Sequence, residues 1–340
     1  MMSKSYSLQQ LPPAPPGKTG WPWTEETSSG STKKPDGTPW PRMTVVTPSY
    51  NQADFLEETL RSVLLQGYPN LEYLVIDGGS TDGSVELIKK YAPYLTHWVS
   101  EPDRGQSHAI NKGLQQAHGE ILCWLNSDDL LKPGALYHVA SMFRDLAAPS
   151  WIVGATELIA RDGTYLDIQQ VRDIDERFFL TWSDRIWLPQ QSTFWNRAMW
   201  ELVKPLREDL TYVMDVALWL KMFQVVRPET TPRILSSYRI HEVSKTVSAP
   251  MHSRQELIEL LKIYLRQVPH SESAKRLFIS HQSEEMLEWA YKSYDAHYYR
   301  NASEELWFAV RMFPSMILKK KWLFLAILLK MGGGSSATRE

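Results

Sequence analysis

Between residues 43 and 143, short apolar runs alternate four times with longer stretches of helical periodicity. The runs are "MTVVTPS", "LEYLVID", "THWVSE" and "EILCWLN". Each has the length of a strand and is bounded by Pro, Gly, Asp or Ser. Between them, "ADFLEETLRSVLLQ" puts Phe55, Leu56, Leu60, Val63 and Leu64 on one helical stripe. Asp54 and Glu57 have the spacing of a capping box at its start. "TDGSVELIKKY" begins acidic and ends basic, the order a helix dipole favours. "GQSHAINKGLQQAH" and "PGALYHVASMF" complete the set. This spacing predicts an α/β fold, with a mostly parallel, Rossmann-like sheet covered by helices on both faces.

In such sheets ligands bind beyond the carboxyl ends of the strands. Those ends read "TPSYN", "DGGSTD", "SEPDRG" and "NSDD", all polar and rich in turn-formers. Two phosphate motifs are excluded. Gly78 and Gly83 have P-loop spacing, but no lysine follows Gly83. No G-x-G-x-x-G follows the first strand, so the dinucleotide fingerprint fails. What remains is a nucleotide held partly by carboxylates. Asp77 ends an apolar strand, where it can accept hydrogen bonds from a base or ribose. Asp128 offers oxygen to a hard divalent cation, Mn²⁺ or Mg²⁺, which would neutralise a departing diphosphate.

The ordered stretches "VVTPSYNQADFLEETLRSVLLQGYPNLEYLVIDGGSTDGSVELIKKY" and "EPDRGQSHAINKGLQQAHGEILCWLNSDD" resemble the family 2 glycosyltransferases of the GT-A fold. The resemblance runs from about residue 43 to 134, with weaker features to about 247. It implies sugar transfer from a nucleotide-diphosphate donor, UDP-, GDP- or dTDP-linked, to a glycan or lipid-linked hydroxyl acceptor, with inversion at the anomeric carbon. It places Pro48 and Tyr50 at the base, Asp77 at the base or ribose, and Asp103 and Arg104 near the nucleotide. Asn126, Ser127 and Asp128 occupy the DXD positions, with Asp128 as metal ligand. It implies Asp215 as the base that deprotonates the acceptor, with Glu208 and Asp209 as rivals. It also gives His241 a metal or diphosphate contact, with Arg239 or Lys245 reaching phosphate. Asn126 departs from the usual acid. An amide ligates without adding charge, which implies weaker metal binding or a heavier share for Asp128 and a third ligand. In "PQQSTFW", Gln190 and Gln191 are candidates to face the acceptor or donor, or to pack beneath the aromatics.

The remaining sequence sets the boundaries. Residues 1 to 40 are rich in Pro, Gly, Ser, Thr and Lys, and read as a disordered tail. The glycosyltransferase-like domain spans 41 to 250, and 251 to 340 reads as a helical extension. A formal net charge of -2 argues against nucleic acid as partner. The single cysteine, Cys123, excludes an intrachain disulfide and a thiolate zinc cluster. The N-terminus lacks a signal pattern, which places the chain in the cytoplasm. Near the C-terminus "LKKKWLFLAILLK" has an apolar run too short to span a bilayer, which needs roughly 18 residues. It reads equally as a buried terminal helix or as a peripheral membrane-surface element. Two other functions fit less well. A nucleotidyltransferase would want a glycine-rich basic loop after the first strand, and "TPSYNQADF" has neither feature. A degenerate sugar-nucleotide-binding scaffold is favoured only by Asn126.

Overall fold

The computed structural model describes residues 5–28, 30–171, 173–183, 185–242, 244–245, 249–267 and 272–314. They fall into two units, Met1–Asp173 with Leu188–Ser248, and Ile174–Trp187 with Ala249–Glu340. The division falls after Ser248, and the short insert at 174–187 joins the helical unit.

The first unit contains the alternation read from the sequence. Strands β1 (Met43–Ser49), β2 (Leu71–Asp77), β3 (His97–Ser100) and β4 (Ile121–Trp124) run parallel in the order β3-β2-β1-β4. Helices α1 (Ala53–Leu64), α2 (Ser84–Tyr91) and α3 (Gln106–Gln116) make the crossovers. The chain moves from β1 to β2 on one side and returns to β4 on the other. The topological switch point thus lies between β1 and β4, where a crevice opens for ligand. Beyond β4 come β5 (Leu130–Leu131), helix α4 (Ala135–Met142), β6 (Trp151–Ala160) and β7 (Tyr165–Gln169). Strand β8 (Thr193–Asn196) is antiparallel to both β4 and β6. Helices α6 (Arg197–Val203) and α7 (Met214–Val225) precede β9 (Glu229–Ile240), and α5 (Glu176–Leu180) lies in the insert. Strand β7 pairs antiparallel with β6, whereas β9 runs parallel to it. All seven residues of β1 and of β2 are buried, which explains their continuous apolar reading.

Two local expectations are corrected. Helix α1 is not capped by its own Asp54. Gln52 is its N-cap, and Asp82, from the loop after β2, accepts from the Ala53 N–H at 2.9 Å. Glu57 instead receives Lys90 Nζ and the Tyr91 hydroxyl, at 2.7 and 2.9 Å.

The expected N-terminal tail packs on the core rather than standing free. Leu11 and Trp23 are buried, and Arg61 of α1, 1% exposed, explains why. Its guanidinium donates to the carbonyls of Pro12, Pro22 and Trp23 at 2.8, 3.0 and 3.2 Å and lies over the Trp23 ring. Pro-rich backbone offers carbonyls with few competing N–H groups, so a buried arginine can organise a segment without regular structure. Arg61→Met should strand those acceptors and cost about 2 kcal/mol. Melting should fall by roughly 4–8 °C, and trypsin should cut after Lys18 faster than in the parent. Unchanged cleavage and melting would show that the segment docks without Arg61.

The second unit is helical. It consists of α8 (Pro250–Gln267), α9 (Glu272–Asp295) and α10 (Tyr299–Met312), together with the insert that carries α5. Buried Arg254 donates to the Trp182 carbonyl and to Gln282 Oε1, at 2.9 and 3.2 Å. Gln282 Nε2 then holds the Leu180 and Trp182 carbonyls at 3.1 and 3.0 Å. Among the described residues no helix is long and apolar enough to cross a membrane. The "LKKKWLFLAILLK" run lies outside the described residues.

Candidate active site

The site is built at the switch point. Strand β4 delivers Asn126, Ser127, Asp128 and Asp129 immediately beyond its end, and β9 delivers Arg239 and His241. The latter two are two residues apart near the end of β9, so both side chains lie on one side of the chain. The result joins the two residues expected at the cation. His241 Nε2 lies 3.0 Å from Asp128 Oδ2. The imidazole is buried, and its face packs on Phe55 at 4.8 Å between centroids. His241 Nδ1 is buried with no hydrogen-bond partner, so packing rather than a second hydrogen bond orients the ring. Among the described residues no group of three or more His, Cys, Asp or Glu side chains could hold a metal ion.

Arg239 holds this loop in place and is corrected from its expected phosphate role. Its guanidinium is spent on protein. Nε donates to the Asp128 carbonyl at 3.0 Å, one NH group to the Arg161 carbonyl at 2.9 Å, and the other to Glu58 at 2.8 Å. Its backbone N–H donates to Asp129 Oδ1 at 3.0 Å. Asp129 is completely buried. Burial first, and then the charge of Asp128, push its carboxyl well above the ordinary range.

Asn126 belongs to an amide chain that the sequence did not reveal. Its Oδ1 accepts from Gln106 Nε2 at 2.7 Å. Its Nδ2 donates to Gln190 Oε1 at 3.1 Å and faces Asp129 Oδ2 at 3.4 Å. Gln106 Oε1 in turn receives Lys245 Nζ at 3.0 Å, and Gln190 Nε2 donates to the Trp124 carbonyl at 2.8 Å. Gln190 therefore braces β4 instead of facing an acceptor. Gln191 is also buried and donates to Thr156 Oγ1 at 3.1 Å. Ser127 lies between Asn126 and Asp128 and is 5% exposed.

On the expected nucleotide side, Asp77 serves the local turn. It is completely buried, and both oxygens are used within the chain. Oδ2 accepts from the N–H groups of Gly79 and Ser80 and from the Ser100 hydroxyl, and Oδ1 from the Ser80 hydroxyl. It builds the "DGGS" turn and ties it to β3. The neighbouring surface is formed by Tyr50, 62% exposed, and Asp103. A Cβ at Gly78 would meet Asp103 Oδ2 at 2.7 Å and Tyr50 Cδ2 at 3.3 Å, so glycine is what lets these side chains close on the turn. Pro48 is buried inside β1, beneath this surface. Asp103 Oδ1 also accepts from the Gly105 N–H at 2.7 Å. Arg104 points elsewhere, to Glu208 Oε2 at 2.6 Å.

Asp215 lies half-buried in the first turn of α7, and its Oδ1 accepts from the Val216 N–H at 2.8 Å. The rivals are committed, Glu208 to Arg104 and Asp209 to Arg207. The α7 helix is locked to β4 through tryptophans. Trp219, one turn after Asp215, stacks on Trp124, two residues before Asn126, with centroids 5.6 Å apart and an interplanar angle of 13°. Trp151 and Trp195 complete the buried cluster. Cys123 is buried on the other face of β4, in the apolar cluster with Val45 and Leu125, and burial pushes its thiol upward, which leaves it inert.

Residues 44–201 match the family described as Glycosyl transferase family 2. TuaG of Bacillus subtilis, a glycosyltransferase named for teichuronic acid biosynthesis, is 36% identical over 130 residues, covering 37% of this chain and 51% of TuaG. An uncharacterised glycosyltransferase of Rickettsia typhi is 24% identical over 240 residues, covering 68% of this chain and 74% of that protein. Among solved structures, residues 1–349 of Staphylococcus aureus TarS, in complex with UDP-GlcNAc, align with a TM-score of 0.58 at 16% identity, covering 81% of this chain and 82% of that one. The Pyrobaculum calidifontis mannosyltransferase PcManGT, in complex with GDP-Man and Mn²⁺, aligns with a TM-score of 0.55 at 20% identity, covering 88% and 81%. The strand order, the ordered motifs and these matches lead to one assignment: residues 44–201 form a domain of glycosyl transferase family 2, and its fold is that of the GT-A glycosyltransferases.

Proposed function

We propose that this protein transfers a glycosyl group from a nucleotide-diphosphate sugar to a hydroxyl acceptor, with inversion, in the assembly of a cell-surface polysaccharide or glycoconjugate. The observation that carries this reading is the Asp128–His241 pair at the switch point between β1 and β4. Its donor set fits a hard divalent cation. Asp128 offers carboxylate oxygen and His241 an imidazole nitrogen, and two protein ligands leave positions for diphosphate oxygens. Bound Mn²⁺ or Mg²⁺ supplies Lewis-acid neutralisation of the departing diphosphate.

The chain's own residues do the rest. Arg239 and the Asn126 amides fix the Asp128 loop, so little reorganisation is needed when charge develops. The Asp215 carboxylate takes the proton from the acceptor hydroxyl as that oxygen attacks the anomeric carbon. Tyr50 and Asp103 offer an exposed ring and a carboxylate to the nucleoside. The complexes of similar fold with UDP-GlcNAc and with GDP-Man support a nucleotide-sugar donor, and the name of TuaG supports an acceptor in a surface polymer.

The test is a thermal-shift screen of UDP-, GDP- and dTDP-sugars, with and without Mn²⁺. At 100 times Kd a donor should add about 2.7 kcal/mol, or roughly 5–10 °C for a unit of this size, and only when the cation is present. If no donor moves the melting point in Mn²⁺ or Mg²⁺, the reading is wrong.

A further inference from the structure

We propose that Arg104 is a positioning residue: its ion pair with Glu208 clamps the segment that leads into α7 and so holds Asp215 at the acceptor. This rests on the reading of Asp215 as the base, and it takes Arg104 away from the nucleotide.

Four contacts converge on residues 203 to 208. Arg104 meets Glu208 Oε2 at 2.6 Å. The other carboxylate oxygen, Oε1, receives Asn111 Nδ2 at 3.1 Å. Asn111, only 3% exposed, also grips the backbone of Leu206 from both sides. Its Oδ1 accepts the Leu206 N–H and its Nδ2 donates to the Leu206 carbonyl, both at 3.0 Å. From the far side, Lys221 of α7 donates to the Val203 carbonyl at 3.2 Å. The segment is thus held by an amide from α3, by a guanidinium from the loop just before α3, and by an ammonium from α7. The Arg104 hydrogen bond, followed by that of Asn111, keeps the Glu208 carboxyl below its ordinary range, so it stays charged where Arg104 needs it.

Magnitudes separate positioning from plain stability. The Arg104 side chain is 69% exposed and that of Glu208 32%. An exposed pair contributes about 0–1 kcal/mol, too little to hold the fold. Reactive geometry is far less tolerant, because a displacement of about 1 Å can cost roughly 100-fold in rate. Breaking this pair should therefore slow transfer far more than it lowers the melting point.

The experiment uses the full chain with Arg104→Gln, Glu208→Gln and the double charge swap Arg104→Glu with Glu208→Arg. Three quantities are read: kcat, the Kd of the bare nucleoside diphosphate with Mn²⁺, and hydrogen exchange in peptides covering residues 204 to 213. Each single change should lower kcat about 10- to 100-fold and leave the nucleotide Kd within about twofold. Exchange should accelerate in that segment alone, and the swap should restore both kcat and exchange protection. Two results would overturn the clamp: unchanged exchange in the single variants, or a nucleotide Kd weakened about tenfold by Arg104→Gln and not recovered by the swap. Exchange is read without any sugar transfer. A parent protein that transfers from no donor would therefore refute the proposed function, while the exchange result still decides the clamp.

Discussion

Asp215→Asn should reduce sugar transfer by about 10²- to 10⁴-fold, the range for loss of a positioned general base. It should leave donor binding and melting temperature close to those of the parent. The substitution is nearly isosteric. The amide oxygen can still accept the Val216 N–H that Asp215 Oδ1 now holds, so the first turn of α7 survives. What is lost is the basic oxygen, since an amide takes no proton at neutral pH. Single-turnover transfer and the donor-induced thermal shift, measured on the same preparation, separate the two effects. Glu208 and Asp209 are poor substitutes, because each carboxylate already serves an arginine. Transfer that persists within about tenfold of the parent would place the base elsewhere.

The sheet was legible because its signal is local. Strands buried on both faces read as continuous apolar runs, and the helices between them keep a single stripe, so periodicity alone located β1 to β4 and the helices between them. The carboxyl-end rule then located the site. Side-chain partners were another matter. Asp77 looked like a ligand contact because it ends a strand, and its partners within the chain are Gly79, Ser80 and Ser100. The "DGGS" sequence did hold a clue, since Asp followed by glycines builds local turns. Gln190 offered no clue, because its partner Asn126 lies 64 positions away. Residues 5 to 40 were misread because composition reports what a segment can bury alone, not what a buried arginine can recruit. Asp128 and His241, 113 positions apart, were brought together only by resemblance, and the fold places them at hydrogen-bond distance.

Asn126→Asp should weaken the protein instead of completing its cation site. Counting charges alone, a carboxylate at 126 ought to raise affinity for Mn²⁺. The hydrogen bonds point the other way. Asn126 Nδ2 donates to Gln190 Oε1 and faces Asp129 Oδ2 at 3.4 Å. A carboxylate oxygen in its place would confront two acceptors, one of them on a side chain with no exposure to solvent. Gln190 cannot simply turn over, because its Nε2 holds the Trp124 carbonyl. Position 126 is half-buried, so a carboxylate left there without a donor costs about 2 kcal/mol, which corresponds to roughly 4–8 °C in melting temperature for a unit of this size. The metal-free melting point should show this loss in full, and Mn²⁺ should recover only part of it. Asp128→Ala makes the contrast: it takes the partner from the buried His241 Nε2, should melt a few degrees below the parent with or without metal, and should lose the cation-dependent donor shift altogether. If Asn126→Asp instead melts like the parent without metal and binds Mn²⁺ more tightly, then charge, not the amide chain, governs that position.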